Sequence, residues 1–325
     1  MNTVRTALVV GANGGIGQAM IEALRRHGWE VRALVRSARH HDAQVDWRIG
    51  DAMNAADVRA AAEGVQLIVH AVNPPGYRNW QRLVLPMIDN TIAAACAVRA
   101  RILLPGTIYN FGPNAFPSLT ESSPQHPHTA KGTIRVAMEQ RLAAAARQGA
   151  RVLILRCGDF FGPHSGNSWF AQGLVRPGRP VRTLRYPGTP AHRHAWAYLP
   201  DVADTAARLL DREPELAAFE RFHFGGYFVD GRELCDAVRR ASGNANVRLG
   251  RFPWWLVTLA SPFVVTLSEL RKMHYLWRHP IALDDRKLID FLGDDCYTPL
   301  EPALRRTLDG LGCLPSAGKM ATQAA

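Results

Sequence analysis

The sequence predicts an α/β fold, a doubly wound parallel sheet with a smaller, mostly helical C-terminal region. Three observations carry that prediction. Over the first 160 residues short β-branched runs alternate with amphipathic stretches, the pattern of a parallel sheet covered by helices. Runs such as "ALVV" at 7–10 and "LIVHAV" at 67–72 show little polar alternation, as strands buried on both faces require. After residue 160 the texture changes, first to loops rich in Pro, Gly, Arg and His over 162–194, then to a mostly helical stretch over 230–313.

Taken in order, strands are expected at 6–10, 30–35, 45–49, 67–71, 101–104 and 152–156, with helices at 16–27, 55–63, 80–98 and 131–148 between them. The apolar run 219–224, just before Gly225 and Gly226, returns to the sheet late. An amphipathic stretch, "DGRELCDAVRRASG", opens the C-terminal helices at 230–243. The most apolar run, "FPWWLVTLASPFVVTL" at 252–267, is too short to span a bilayer, contains Pro262 and leads into "SELRKM". It reads as a buried helical segment rather than a membrane-surface anchor. The tail 314–325 is expected to be disordered. No internal repeat is present.

Composition sets the class. The chain has 325 residues, 47% hydrophobic and 21% charged, which suits a soluble globular protein of one large α/β unit and a smaller region. The formal net charge of +11 sits largely in arginines such as Arg25-Arg26, Arg239-Arg240 and Arg305-Arg306, which fall on helix faces in contact with solvent. No basic strip interleaved with aromatics is found, which argues against nucleic acid as a partner. The surplus charge would steer anionic ligands, including nucleotides, toward the protein. Five scattered cysteines (Cys96, Cys157, Cys235, Cys296 and Cys313) without a C-x-x-C pair argue against a disulfide framework or a zinc site and suit a reducing cytoplasm. The N-terminus runs straight into a strand, so no signal peptide is expected.

The first strand is followed by "GANGGIG", with Gly11, Gly14 and Gly17 at G-x-x-G-x-x-G spacing. Gly11 allows a tight turn. Gly14 lets backbone approach a diphosphate with no Cβ in the way, and Gly17 permits close helix–strand packing. The helix start offers free N–H groups and the positive end of its dipole. This is the arrangement of a dinucleotide site. Nineteen residues beyond Gly17 stands Arg36, with Ser37 and Arg39 close by, where NAD-preferring sites place an acid. A cation there accommodates a 2′-phosphate, so NADP is favoured, with NAD the alternative. Asp51, after the third strand, is placed to hydrogen-bond an adenine amino group, and nearby Asn54 suits a helix cap.

With these pieces the chain resembles the extended short-chain dehydrogenase/reductase family, of the epimerase/dehydratase type. The likeness rests on "GANGGIG", Gly50-Asp51, "HAVNPP", "IYNFGP" at 108–113, "TESSPQHP" at 120–127, "LRCGDFFGP" at 155–163, "AYLPDVADT" at 197–205 and "FHFGG" at 222–226. The resemblance implies a Rossmann domain at 1–163 and 195–226, interleaved with a substrate region at 164–194 and 227–313. It implies that Gly11, Asn13, Gly14, Ile16, Gly17, Arg36, Asp51, Ala71 and Val72 line the cofactor, with Gly158-Asp159-Phe160 against the nicotinamide. The family often dimerises through helices beside the sheet, which leaves a homodimer open for this chain.

The family's catalytic pattern is altered. Its Ser or Thr position falls on Pro105, with Thr107 two residues on, and its Tyr-x-x-x-Lys becomes "KGTIR", Lys131 to Arg135. The spacing of four keeps both residues on one helix face. An exposed basic helix start is disfavoured by the dipole, which argues for a role. Two readings follow. In one, Lys131 shuttles a proton, its pKa lowered by Arg135 and partial desolvation, Arg135 holds the nicotinamide ribose, and Tyr109 or Thr107 bonds a small carbonyl or sugar-nucleotide-like substrate. In the other, the chain binds NADP(H) as a catalytically inactive sensor or regulatory protein. For substrate, the resemblance points to Asn167 and Trp169 in "SGNSWF" and to His192 and His194 in "GTPAHRHAWAYLPD", with buried aromatic packing the other reading of Trp169 and Trp196. His192 and His194 lack a third ligand nearby, so no metal is expected. His126 and His128 read as loop residues.

Overall fold

Seven strands make one parallel sheet: β1 (Arg5–Val10), β2 (Trp29–Val35), β3 (Asp46–Ile49), β4 (Leu67–His70), β5 (Arg101–Gly106), β6 (Arg151–Cys157) and β7 (Phe219–Phe224). Their order is β7-β6-β5-β4-β1-β2-β3, so the chain reverses its direction of winding between β1 and β4. The architecture comes from a computed structural model that describes residues 4–37, 42–74, 79–295 and 297–314. Arg39, Pro75 of "HAVNPP", Cys296 and the tail beyond Leu314 lie outside the described residues.

The period of two along each strand sorts the core. Ala7 and Val9 of β1 face one layer, while Leu8 and Val10 face the other. The first layer is closed by α1 (Gly15–Arg26) and α5 (Leu199–Asp211), through Met20, Leu24, Val202 and Leu209. The second is closed by α2 (Ala55–Ala61), α3 (Trp80–Val98) and α4 (Ala130–Arg147), through Val58, Ile88, Met138 and Leu142. Each fully buried aliphatic side chain contributes about 1.5–3 kcal/mol. Asn54 does cap α2, accepting from the Ala56 N–H.

A third core gathers the C-terminal part with pieces of the loops after β5 and β6, centred on Phe161, Phe170, Trp196, Trp277 and Leu304. Its helices are α6 (Gly231–Ser242), α7 (Trp254–Ala260), α8 (Val265–Lys272) and α10 (Leu300–Gly310), while α9 (Arg286–Leu292) packs on the first layer through Leu288 and Phe291. The Asp230–Glu233 capping box starts α6, and Gly243, at φ 66°, ends it. This region carries more strand than its composition suggests. Residues 194–198 pair with 159–161 and 227–229 in a separate three-stranded sheet, and 248–251 pair with 183–186. Such short pieces have no periodicity of their own, because their partners are distant in sequence.

The apolar run 252–267 departs from the expected buried segment. Pro253 and Pro262 bracket α7, so no continuous helix forms. Val257 and Ser261 are buried, while Trp255, Leu256, Leu259, Phe263 and Val264 are exposed. The run holds more apolar side chains than the one face that packs inward can cover.

One buried ion pair sets α4 against the sheet. Arg156 of β6 donates to both Glu139 oxygens at 2.8 Å and to the Thr107 carbonyl at 2.5 Å. Asn110 and Gln125 also donate to the Glu139 carboxylate, at 2.9 and 2.7 Å. Glu139 lies four residues beyond Arg135 and eight beyond Lys131, on the same face of α4. At the helix start the Thr129 hydroxyl caps the Gly132 N–H. A Cβ at Gly132 would stand 2.2 Å from the Tyr109 carbonyl, so glycine lets α4 close on the loop after β5.

Removing one partner of a buried pair strands the other charge, so Glu139→Ala should cost about 3–5 kcal/mol of unfolding free energy. Glu139→Leu with Arg156→Met should recover most of it. Urea unfolding reads both. A loss below about 1 kcal/mol for the single change would show that the pair does not hold α4.

Candidate functional site

A cleft of about 610 Å³ runs along the carboxyl ends of the strands, over the β1/β4 switch. This is where open α/β sheets bind ligands. Gly11, Asn13, Gly14, Ile16, Arg36, Asp51, Ala71 and Val72 all line it. Gly11 has φ +90°, and a Cβ there would meet Val72 Cα at 2.6 Å. Gly14 is different. A Cβ there would meet only the Gly11 carbonyl at 3.4 Å, so the space it leaves opens to the cleft. Gly17 stands behind the wall, where a Cβ would come within 2.5 Å of the Gly11 carbonyl. Gly11 and Gly17 thus permit the tight turn and the close packing that their spacing suggests, and Gly14 leaves backbone open to the cleft. The first-turn N–H groups of α1 have no intrahelical partner, and no acid occupies that turn. These residues fit a dinucleotide diphosphate.

At the end of the cleft beside β2, Asn13 donates to the carbonyl of Ser37, just past that strand, at 3.2 Å. Arg36 stands on the wall, and among the described residues no carboxylate pairs with it. Asp51 accepts from the Met53 N–H at 2.9 Å, which fixes its carboxylate at the wall.

At the other end the cleft is walled by Pro105, Thr107, Tyr109 and Arg135. Arg135 donates to Asn73 at 3.3 Å, and its guanidinium lies 5.1 Å from the centre of the Trp80 ring. Lys131 shares that ring at 5.8 Å, so the two cations do share a face. Yet Lys131 is outside the cleft wall. It is 3% exposed, and its Nζ lies 3.4 Å from Glu269 of α8. Burial lowers its pKa to about 8, with the Lys272 charge acting the same way and Glu269 opposing both. Desolvation thus lowers it as expected, but the like charge beside it is Lys272 rather than Arg135. Burial, helped by Arg135, instead pushes His70 down to about 3. His70, on the wall and bonded to Thr91 at 2.8 Å, is therefore neutral at physiological pH.

The expected substrate residues separate. Asn167 and Trp169 line the cleft, Asn167 accepting from Gln172 at 3.0 Å. Trp169 is also packed, its ring against Phe252, Trp254 and Trp277. His192 and His194 do not reach the wall. His194 is buried, 2.7 Å from Asp159, with its ring stacked on Trp277 at 4.0 Å. The His192 carbonyl accepts from the Tyr186 hydroxyl. Gly158 also stands back, pressed on Ala195, while its neighbours Asp159 and Phe160 line the cleft. His126 bonds Asn114, and His128 packs on Tyr275. Glu139 and Glu269 carry no motif, and Arg156, although inside "LRCGDFFGP", is given no role by it. The one signal for Glu139 was its i+4 spacing from Arg135.

The sequence model of the NAD dependent epimerase/dehydratase family matches residues 7–225. Over 176 residues the chain is 30% identical to 3-diazoavenalumate denitrifying reductase of Streptomyces sp, covering 49% of this chain and 57% of that protein. It is 30% identical over 83 residues to mouse (Mus musculus) sterol-4-alpha-carboxylate 3-dehydrogenase, decarboxylating, covering 26% and 23%. The chain thus spans 23% to 57% of the length of these two relatives. MoeE5 in complex with UDP-glucose and NAD superposes with a TM-score of 0.71 at 18% identity, over 94% of this chain and 98% of that one. L-threonine dehydrogenase from Clostridium difficile gives 0.75 at 15% identity, over 96% and 100%. At these identities the likeness shows the shared Rossmann fold. The family match runs from within β1 to the end of β7 and takes in the glycine turn, and the chain belongs to the NAD dependent epimerase/dehydratase family.

Proposed function

We propose that the protein is an NADP(H)-dependent oxidoreductase acting on a small carbonyl or sugar-nucleotide-like substrate. One observation carries this reading: a single cleft joins the glycine turn and Arg36 at one end to Thr107, Tyr109 and Arg135 at the other. Arg36 would grip the 2′-phosphate, and the start of α1 the diphosphate. The bound nicotinamide would supply or accept hydride. Arg135, fixed by Asn73 and Trp80, would hold the ribose beside it as a permanent cation. Tyr109 and Thr107 would bond the substrate oxygen. In this reading the proton would come from Lys131, which stands behind the wall beside Arg135 on the Trp80 ring and which burial holds at about 8. The sugar-nucleotide class is supported by the UDP-glucose named for MoeE5.

The second reading, an NADP(H)-binding sensor without turnover, is favoured by the burial of Lys131 behind the wall against Glu269. The pH dependence separates the two. A protonated lysine is needed to reduce a carbonyl, so kcat/KM for reduction should fall as pH rises through about 8, and oxidation should rise. Lys131→Met should lower turnover by about 100-fold or more and abolish that inflection. An unchanged inflection in Lys131→Met would make Lys131 a structural partner of Glu269. NADPH binding with no turnover across a panel of carbonyls and sugar nucleotides would support the sensor.

Cofactor choice has its own test. Arg36→Ala should weaken NADPH about ten- to a hundredfold, by loss of a charge-assisted bond, with little effect on NADH. Equal losses would remove Arg36 as the reader of the phosphate. Gly14→Val should block both cofactors while costing under about 1 kcal/mol of stability, because its side chain enters the cleft rather than the core. Unimpaired titration of that variant with NADPH would place the diphosphate elsewhere.

A further inference from the structure

We propose that the α7–α8 hairpin docks the protein on the surface of an anionic lipid bilayer. Eight large apolar side chains are exposed among the described residues, and five of them stand within this hairpin. Phe263 is 88% exposed, Trp255 and Leu259 each 69%, with Leu256 and Val264 beside them. The hairpin is nevertheless firmly seated from below. Trp254 stacks on His274 at 3.9 Å and donates to the Pro187 carbonyl at 2.6 Å, and Val257 is buried. Its outer face is therefore held out toward a partner.

The surrounding charge selects that partner. Residues 251–279 contain Arg251, Arg271, Lys272 and Arg278, all exposed, and a single carboxylate, Glu269. That carboxylate is taken by Lys131 and Lys272. An apolar face led by tryptophan and phenylalanine, in a segment whose exposed charges are all cations, matches the boundary between acyl chains and acidic headgroups. A second copy fits poorly, since a two-fold interface would bring the same cationic segment up to itself. The residues beyond Leu314 fit poorly too, because Met320 is their one large apolar side chain. No helix among the described residues is long and apolar enough to cross a membrane, so the contact is peripheral. Trp169, which packs on Phe252 and Trp254, also lines the cleft, so docking brings the substrate end of the cleft beside the lipid.

The test is co-sedimentation of the full chain with vesicles of phosphatidylcholine alone, or with about a quarter phosphatidylglycerol. Wild type should bind the anionic vesicles and far less the neutral ones. Trp255→Ser/Leu259→Ser/Phe263→Ser should weaken binding on the order of a hundredfold, with Tm and NADPH affinity unchanged because these side chains touch neither core nor cleft. Arg251→Gln/Arg271→Gln should weaken it on the order of tenfold. Three results would overturn the proposal. One is no binding to anionic vesicles, and another is undiminished binding by the apolar triple variant, which would reveal adsorption through diffuse charge. The third is a dimer in light scattering that the triple variant dissociates, which would assign the face to a second copy.

Discussion

Arg156 and Glu139 meet where neither has water, and the geometry of the Arg135 end of the cleft follows from that meeting. The guanidinium satisfies the carboxylate and also holds the Thr107 carbonyl, so one side chain fixes both α4 and the loop after β5. Because Lys131, Arg135 and Glu139 recur at intervals of four, anchoring Glu139 orients the other two. A pair of this kind adds little net stability against an apolar substitute, but it tolerates only one register of helix on sheet. Glycine at 132 completes the fit by letting the helix start close on Tyr109.

The two ends of the cleft obey different rules. At the glycine turn the ligand would be met by backbone, so what matters is the side chains that are missing. At the far end it would be met by charge, and burial redistributes that charge. Burial, helped by the Arg135 charge, keeps His70 neutral across the physiological range. Lys131 is brought near neutrality by desolvation while Glu269 holds it back toward the charged form. On the proposed oxidoreductase reading, a Lys/Arg pair in place of Tyr/Lys would change the source of the proton as well as the sequence. Glu269 arrives on α8, so the helical hairpin that offers an apolar face to the outside also closes over Lys131 from within.

Sequence reading went furthest where structure is local. The α3 limits, 80–98, follow from its periodicity, and β1, β2, β6 and β7 lie within a residue of their expected ends, because each run carries its own pattern. That Gly11, Gly14 and Arg36 share one cleft wall was legible for the same reason, because their spacings belong to one strand–helix–strand unit, β1–α1–β2. His192 and His194 were not. An extended spacing predicts a shared face but not which wall that face meets, and Asp159 and Trp277 claimed His194 for the interior.

The sequence by itself determined the sheet, the glycine turn and the shared helix face of Lys131 and Arg135, since steric freedom at glycine and the periods of helix and strand depend on neighbours a few residues away. Tertiary structure alone decided that Lys131 lies behind the wall, that its counter-ion is Glu269, and that the run 252–267 turns an apolar face outward. Those outcomes depend on contacts between residues far apart in the chain, and desolvation exists only once such contacts have closed.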